Sequence, residues 1–286
     1  MTSHRNLQMG FSPCPNDIFI LHAWMTEKIE SPIKISPILA DIQQLNEWAK
    51  SSAQPLLKVS FSCLGRILDD YVLLPSGAAI GSGCGPKLIA KKEFEASDLN
   101  QMRVAIPGEH TSAYLLMQLL LPTCKEAVFC TYDQVLSLLE EDKVDCGLII
   151  HETRFTFEDM GYIEICDLGD LWENEFGLPI PLGGIAAKRD LGKETLEQIH
   201  HAIQDSVQYA WNHPEACEEY MLKTSIEKNA QVCKQHINLY VTKDSYTLSE
   251  EAIEGVDAMF ELAREKGLLA PSKQAWLFDC RQAAMV

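Results

Sequence analysis

Cys146-Gly-Leu-Ile-Ile-His-Glu-Thr-Arg-Phe-Thr-Phe157 begins as an apolar run and breaks abruptly into polar residues. Cys146 to Ile150 fits a strand buried on both faces, and His151 follows at its tip with Glu152 and Arg154 close behind. Such a strand delivers an imidazole to its own C-terminal end, where open α/β sheets place their ligands. A lone histidine there can equally be a hydrogen-bonded loop residue, so its neighbours must decide.

Upstream, the pattern predicts a strand at Met102–Ile106, a helix at Thr111–Leu121, a strand at Ala127–Thr131, a helix at Tyr132–Glu141 and the strand Val144–Ile150. This β-α-β-α-β order predicts a parallel sheet with right-handed crossovers. The first strand and helix are joined by Pro107-Gly-Glu-His-Thr-Ser-Ala113. Thr111 and Ser112 fall where a helix start offers free N–H groups and two hydroxyls, a cradle suited to a carboxylate or phosphate; simple N-capping by one of them is the alternative. The loop and His151 both leave the C-terminal edge of one sheet, so they are expected to be neighbours.

Nearer the N-terminus, residues 6–12 read as a strand entering Ser12-Pro-Cys-Pro-Asn-Asp17. The prolines impose an extended turn, after which Asn16 or Asp17 either caps the helix 18–27 or faces a ligand. A strand at 34–40 leads to Asp41, a suitable cap for the helix 42–51. In the strand 56–61, Lys58 either snorkels at the sheet edge or reaches into a site, with Val59 and Ser60 at the C-terminal end. Residues 71–74 form another strand. The glycine-rich stretch 77–86 matches neither dinucleotide nor P-loop spacing, and reads as a flexible loop before the strand 87–91. The Pro/Gly-rich segment 176–184 runs into a short return strand, 185–188. Helices follow at 193–212, 214–223, 226–236 and 249–266, the last closed by Gly267. His200, His201, His213 and His236 fall in this helical region and, without a matching cluster of acidic or cysteine ligands, read as helix-surface residues, not metal ligands.

Hinges near 88–94 and 183–190 would divide the chain into a larger discontinuous domain, 1–90 with 188–286, and a smaller inserted domain, 91–187. That is the anatomy of a two-lobed, periplasmic-binding-protein-like (type II) α/β fold with its ligand in the cleft.

Composition narrows the partners. The 286 residues are 47% hydrophobic and 23% charged, and 24 Lys plus Arg face 41 Asp plus Glu, a formal charge of -17. This argues against nucleic acid or an anionic membrane, so an anionic small-molecule substrate must be held by local donors. No apolar leader or membrane-length apolar run is evident, which suggests a cytoplasmic protein. The 10 cysteines stand singly without C-x-x-C spacing, so reduced thiols are expected and no metal site. Oligomeric state is left open.

Four motifs in this order resemble the 1,4-dihydroxy-6-naphthoate synthase family of the futalosine route to menaquinone: Gly10-Phe-Ser-Pro-Cys-Pro-Asn-Asp17, Leu57-Lys-Val-Ser60, the Pro107-Gly-x-His-Thr loop and Ile149-Ile-His-Glu-Thr-Arg-Phe155. The resemblance covers about Met9 to Ala270. It implies a carbon–carbon lyase without metal or redox cofactor, cleaving cyclic dehypoxanthine futalosine to the naphthoate. His151 would be the base, and Lys58, Val59, Ser60, Thr111 and Ser112 would contact substrate, with Asn16 and Asp17 as further candidates. Two departures are Ser112, where a second threonine is common, and Ile18, which replaces a threonine. A related chorismate dehydratase and a non-catalytic solute-binding protein are the competing expectations.

Overall fold

The computed structural model describes residues 5–280. The chain first builds β1 (Arg5–Phe11), β2 (Ile33–Leu39), β3 (Leu56–Ser60), β4 (Tyr71–Leu73) and β5 (Ala79–Gly81). It then crosses to β6 (Lys87–Ala90), β7 (Arg103–Ile106), β8 (Glu126–Phe129), β9 (Cys146–Ile149) and β10 (Ile163–Asp167), and returns with β11 (Ile180–Lys188). The first sheet has the order β2-β1-β3-β11-β4, with β5 also on β11; the second has the order β10-β6-β9-β7-β8.

The expected parallel unit is present: β7 pairs parallel with both β8 and β9, while β6 and β10 extend the sheet antiparallel. In the first sheet β1 is parallel to β2 and β3, and β11 runs antiparallel to β3, β4 and β5. The crossings therefore fall between 81 and 87 and between 167 and 180, earlier than the expected hinges at 88–94 and 183–190. The reason is pairing. Residues 87–90 zip onto β9, and the proline-bearing residues 180–183 already pair with β5 through an irregular register. A proline at such an irregularity removes no regular ladder bond. The expected flexible glycine loop likewise contains β5, and β10 was not anticipated.

Local signals place the helices. Asp41 caps the helix Ile42–Lys50, its carboxylate accepting from the Gln43 and Gln44 N–H groups at 2.9 and 3.2 Å, and Gly267 follows Glu250–Glu265 with φ +72°, a left-handed conformation that glycine adopts without a Cβ penalty. The 20-residue helix Lys193–Asn212 packs on Pro15–Met25. One core, with Leu57, Val59, Phe61 and Trp172, reaches across to Leu88, Val104 and Leu148 of the second sheet. A second core, with Met9, Ile20, Leu56 and Ile203, lies on the other face of the first sheet. Alternating residues of β3 thus enter opposite cores, as a pleated strand requires. His200, expected on the surface, is 5% exposed and its Nδ1 lies 2.9 Å from the Ser76 hydroxyl; burial lowers its pKa to about 4, keeping it neutral.

Candidate functional site

The strand ends meet in a cleft holding about 730 Å³ of space between the atoms, part of it open to solvent. Asn16, Asp17, Lys58 and Ser60 line it from the first sheet; Thr111, Ser112, His151 and Arg154 line it from the second. His236 and Tyr240, from the helix Ala230–Tyr240, complete the wall. Seven of the eight expected site residues are therefore brought together. Val59 is the exception: its side chain is fully buried in the core shared by the two sheets, because it alternates with Lys58 and Ser60 along β3.

The proline turn acts differently from the expectation. Pro15 occupies the first position of its helix and Cys14 the cap, without a side-chain capping bond, so Asn16 and Asp17 stand inside the first turn. Pro15 fits there because the first helical N–H has no intrahelical partner to lose. Asp17 is thereby free for another role: its carboxylate lies 2.7 Å from Lys58 Nζ, which also donates to the Gly77 carbonyl at 3.0 Å. Lys58 is 4% exposed, so it does not snorkel. It is a buried cation with a buried partner, fixing the C-terminal end of β3 to the first helix.

Across the cleft, Thr111 caps the helix Ser112–Leu120, its hydroxyl accepting from the Tyr114 N–H and donating to the Gly108 carbonyl. Gly108 has φ +104°, and a Cβ there would lie 2.4 Å from Gln43 Oε1, so only glycine lets the loop approach this closely. The early N–H groups of the helix have no partners within it and carry its positive dipole end into the cleft. Ser112 Oγ accepts from the Ser62 N–H at 3.3 Å.

Asn46, which the sequence did not single out, ties the two sides together. Fully buried, it donates to Ser60 Oγ at 3.1 Å and to the His110 carbonyl at 3.2 Å, and accepts from the Ser60 N–H at 3.0 Å. Removing it with Asn46→Ala orphans these buried groups. The expected cost is about 1–3 kcal/mol, read as a lower urea midpoint with an unchanged slope.

His151 opens a short 3-10 turn at the tip of β9. Its φ of +59° is rare for a residue with a side chain; such strained conformations persist mainly where the surroundings impose them, often at functional sites. The imidazole Nδ1 lies 3.1 Å from Cys14 Sγ, while Nε2 is buried with no hydrogen-bond partner in the protein. Tyr132 packs edge-on against the ring at 4.7 Å. Burial lowers the His151 pKa against the opposing pull of Glu152, so the ring is neutral near pH 7. His236 is held lower still by burial and by its neighbours His151, Arg154 and Lys58.

His236 was expected on a helix surface but is 2% exposed. The legible signal was its i, i+4 relation to Tyr240, which puts both rings on one helix face 4.8 Å apart. Cys14 has no histidine near it in sequence, yet two flank it in space, His236 Nε2 at 3.6 Å. Burial, with Glu152 and Asp17 nearby, pushes its thiol pKa well up, so it remains protonated and is not a ready nucleophile. Arg154 pairs with Asp167 at 3.1 Å and donates to Tyr240 Oη and the Gly85 carbonyl.

Two α/β sheets crossed twice by the chain, with polar groups of both facing one cleft, define a two-lobed, periplasmic-binding-protein-like protein. The periplasmic aliphatic sulphonate binding protein of Escherichia coli shares this fold with a TM-score of 0.66 at 13% identity, over 97% of this chain and 93% of that one. Residues 7–265 match the menaquinone biosynthesis family, and the chain belongs to it. It is 41% identical over 266 residues to the 1,4-dihydroxy-6-naphtoate synthase of Thermus thermophilus, covering 93% of this chain and 97% of that protein. The Streptomyces coelicolor protein of the same name is 37% identical over 268 residues, 92% and 94% of the two chains. Among the described residues no helix is long and apolar enough to cross a membrane.

Proposed function

We propose that this chain is a carbon–carbon lyase that cleaves cyclic dehypoxanthine futalosine to 1,4-dihydroxy-6-naphthoate, with His151 as general base. The observation that carries the reading is the neutral, unpartnered Nε2 of His151 at the wall of a cleft that a helix N-terminus and the Ser112 hydroxyl line beside it and Ser60 lines from the opposite side. A base needs a lone pair. The ring hydrogen therefore resides on Nδ1 and is donated to Cys14 Sγ, which leaves Nε2 to take the proton from substrate. As that proton leaves, the bond between the ring system and the sugar breaks, and formation of the aromatic naphthalene drives the step.

The substrate carboxylate is expected at the start of the helix Ser112–Leu120, where the N–H groups and the Ser112 hydroxyl supply fixed dipoles without a full positive charge, while Thr111, its own hydrogen given to the Gly108 carbonyl, shapes the turn. Ser60, clamped by Asn46, faces them from the other side. Purified protein incubated with the cyclic substrate should release naphthoate, followed by its absorbance. A folded protein that leaves this substrate intact but dehydrates chorismate would replace the assignment with the dehydratase.

The pH profile follows from the lowered pKa. As pH falls the imidazole gains a proton and loses its lone pair, so kcat/KM should drop on the acid side. Because burial holds His151 below its ordinary 6.5, the acid limb should have its midpoint below that value. A midpoint above 6.5 would contradict a buried, neutral base.

A further inference from the structure

Immediately behind the cleft wall, Cys14, His151, Glu152 and His236 bring one sulfur, two imidazoles and one carboxylate together, with a ligand atom from each within 4.8 Å of all the others. Cys14 Sγ is 3.1 Å from His151 Nδ1, 3.6 Å from His236 Nε2 and 4.0 Å from Glu152 Oε2. Bonds of about 2.3 Å to sulfur and about 2.0–2.1 Å to nitrogen or oxygen at tetrahedral angles give edges of roughly 3.5 Å. The three sulfur contacts scatter around that edge.

We propose that these four residues form a binding site for a divalent transition ion of the zinc class, and that the ion holds His151 in a form unable to act as base. The inhibitory part rests on the reading of His151 given above; the site itself does not. The donor set selects the metal class. Thiolate and imidazole suit zinc, cobalt or copper, whereas magnesium and calcium require oxygen ligands. Charge also balances: one thiolate and one carboxylate match a divalent ion, so the filled site is neutral where an unpaired charge would be costly. With four protein ligands the site is closed, which marks a structural or inhibitory ion rather than one that activates water.

Binding involves no oxidation. The Cys14 S–H bond breaks, a sulfur–metal bond forms, and the proton passes to solvent. At His151 the ion replaces hydrogen on Nδ1, and the single hydrogen of the neutral ring moves to Nε2. The atom that accepted a proton in the metal-free enzyme becomes an N–H donor.

Chelator-stripped full-length protein titrated with Co²⁺ alone tests this. The expected result is one equivalent bound, with a sulfur-to-cobalt charge-transfer band and the intense visible bands of a tetrahedral ion, both bleached by Zn²⁺. Cys14→Ser should abolish the charge-transfer band, and His236→Gln should weaken Co²⁺ binding at least tenfold while keeping the band at saturation. Turnover by the wild type should fall with the same midpoint as the band rises. Absence of the sulfur band in the wild type, or Co²⁺ affinity indifferent to His236→Gln, overturns the site. Full turnover with the band saturated overturns the inhibition. A metal-free protein inactive on the substrate removes the lyase reading, and the spectrum still decides the site.

Discussion

His151→Asn should lower turnover by about 10²–10⁴-fold, the usual contribution of a positioned general base, while substrate binding remains measurable. Asparagine is chosen for a backbone reason. At φ +59° it is among the better-tolerated residues with a side chain, so the tip of β9 keeps its shape and only the proton acceptor is lost. The carboxylate contacts at the helix Ser112–Leu120 and the hydroxyl of Ser60 come from other elements and should persist. Binding is checked by calorimetry on the variant and turnover by naphthoate absorbance. Retention of more than a few per cent of activity would remove His151 from the role of base.

The second large effect concerns stability. Lys58→Met strips Asp17 of its cation and leaves a carboxylate buried beside the cleft. Breaking a buried pair at one partner costs about 3–5 kcal/mol, chiefly because the remaining charge has lost its compensation. The companion change Asp17→Leu, made together with Lys58→Met, removes that charge and should recover most of the loss. Urea unfolding of the two single variants and the double one forms a closed cycle. If Lys58→Met costs less than about 1 kcal/mol, the pair is hydrated enough that its burial has no energetic weight.

Several parts of the fold and site were legible in the chain because they are local. The β-α-β-α-β alternation fixed the parallel pairing of β7, β8 and β9, and with it the neighbourhood of Thr111 and His151. Asp41 and Gly267 marked their helix ends through capping chemistry. What escaped was long-range. An apolar run such as Leu88-Ile-Ala90 reads the same in either sheet, so its antiparallel pairing with β9, and hence the true crossing points, depended on a partner that periodicity does not name. Lys58 and Asp17 were each noticed, one as an awkward lysine and the other as a cap, but nothing local says that they meet. Val59 was grouped with its sequence neighbours although strand alternation sends it into the opposite core. His236 and Cys14 reach the site from distant elements, and only the packing of the helix Ala230–Tyr240 between the first helix and the 151–155 turn puts them beside His151.

The most direct test of the central claim is a crystal structure of the His151→Asn variant with uncleaved substrate in the cleft. The account predicts the carboxylate at the N-terminus of the helix Ser112–Leu120, a substrate oxygen near Ser60, and the hydrogen to be removed facing residue 151, within hydrogen-bonding reach of where Nε2 stood. A substrate bound with its reacting carbon turned away from residue 151, toward Arg154 or Lys58, would contradict it.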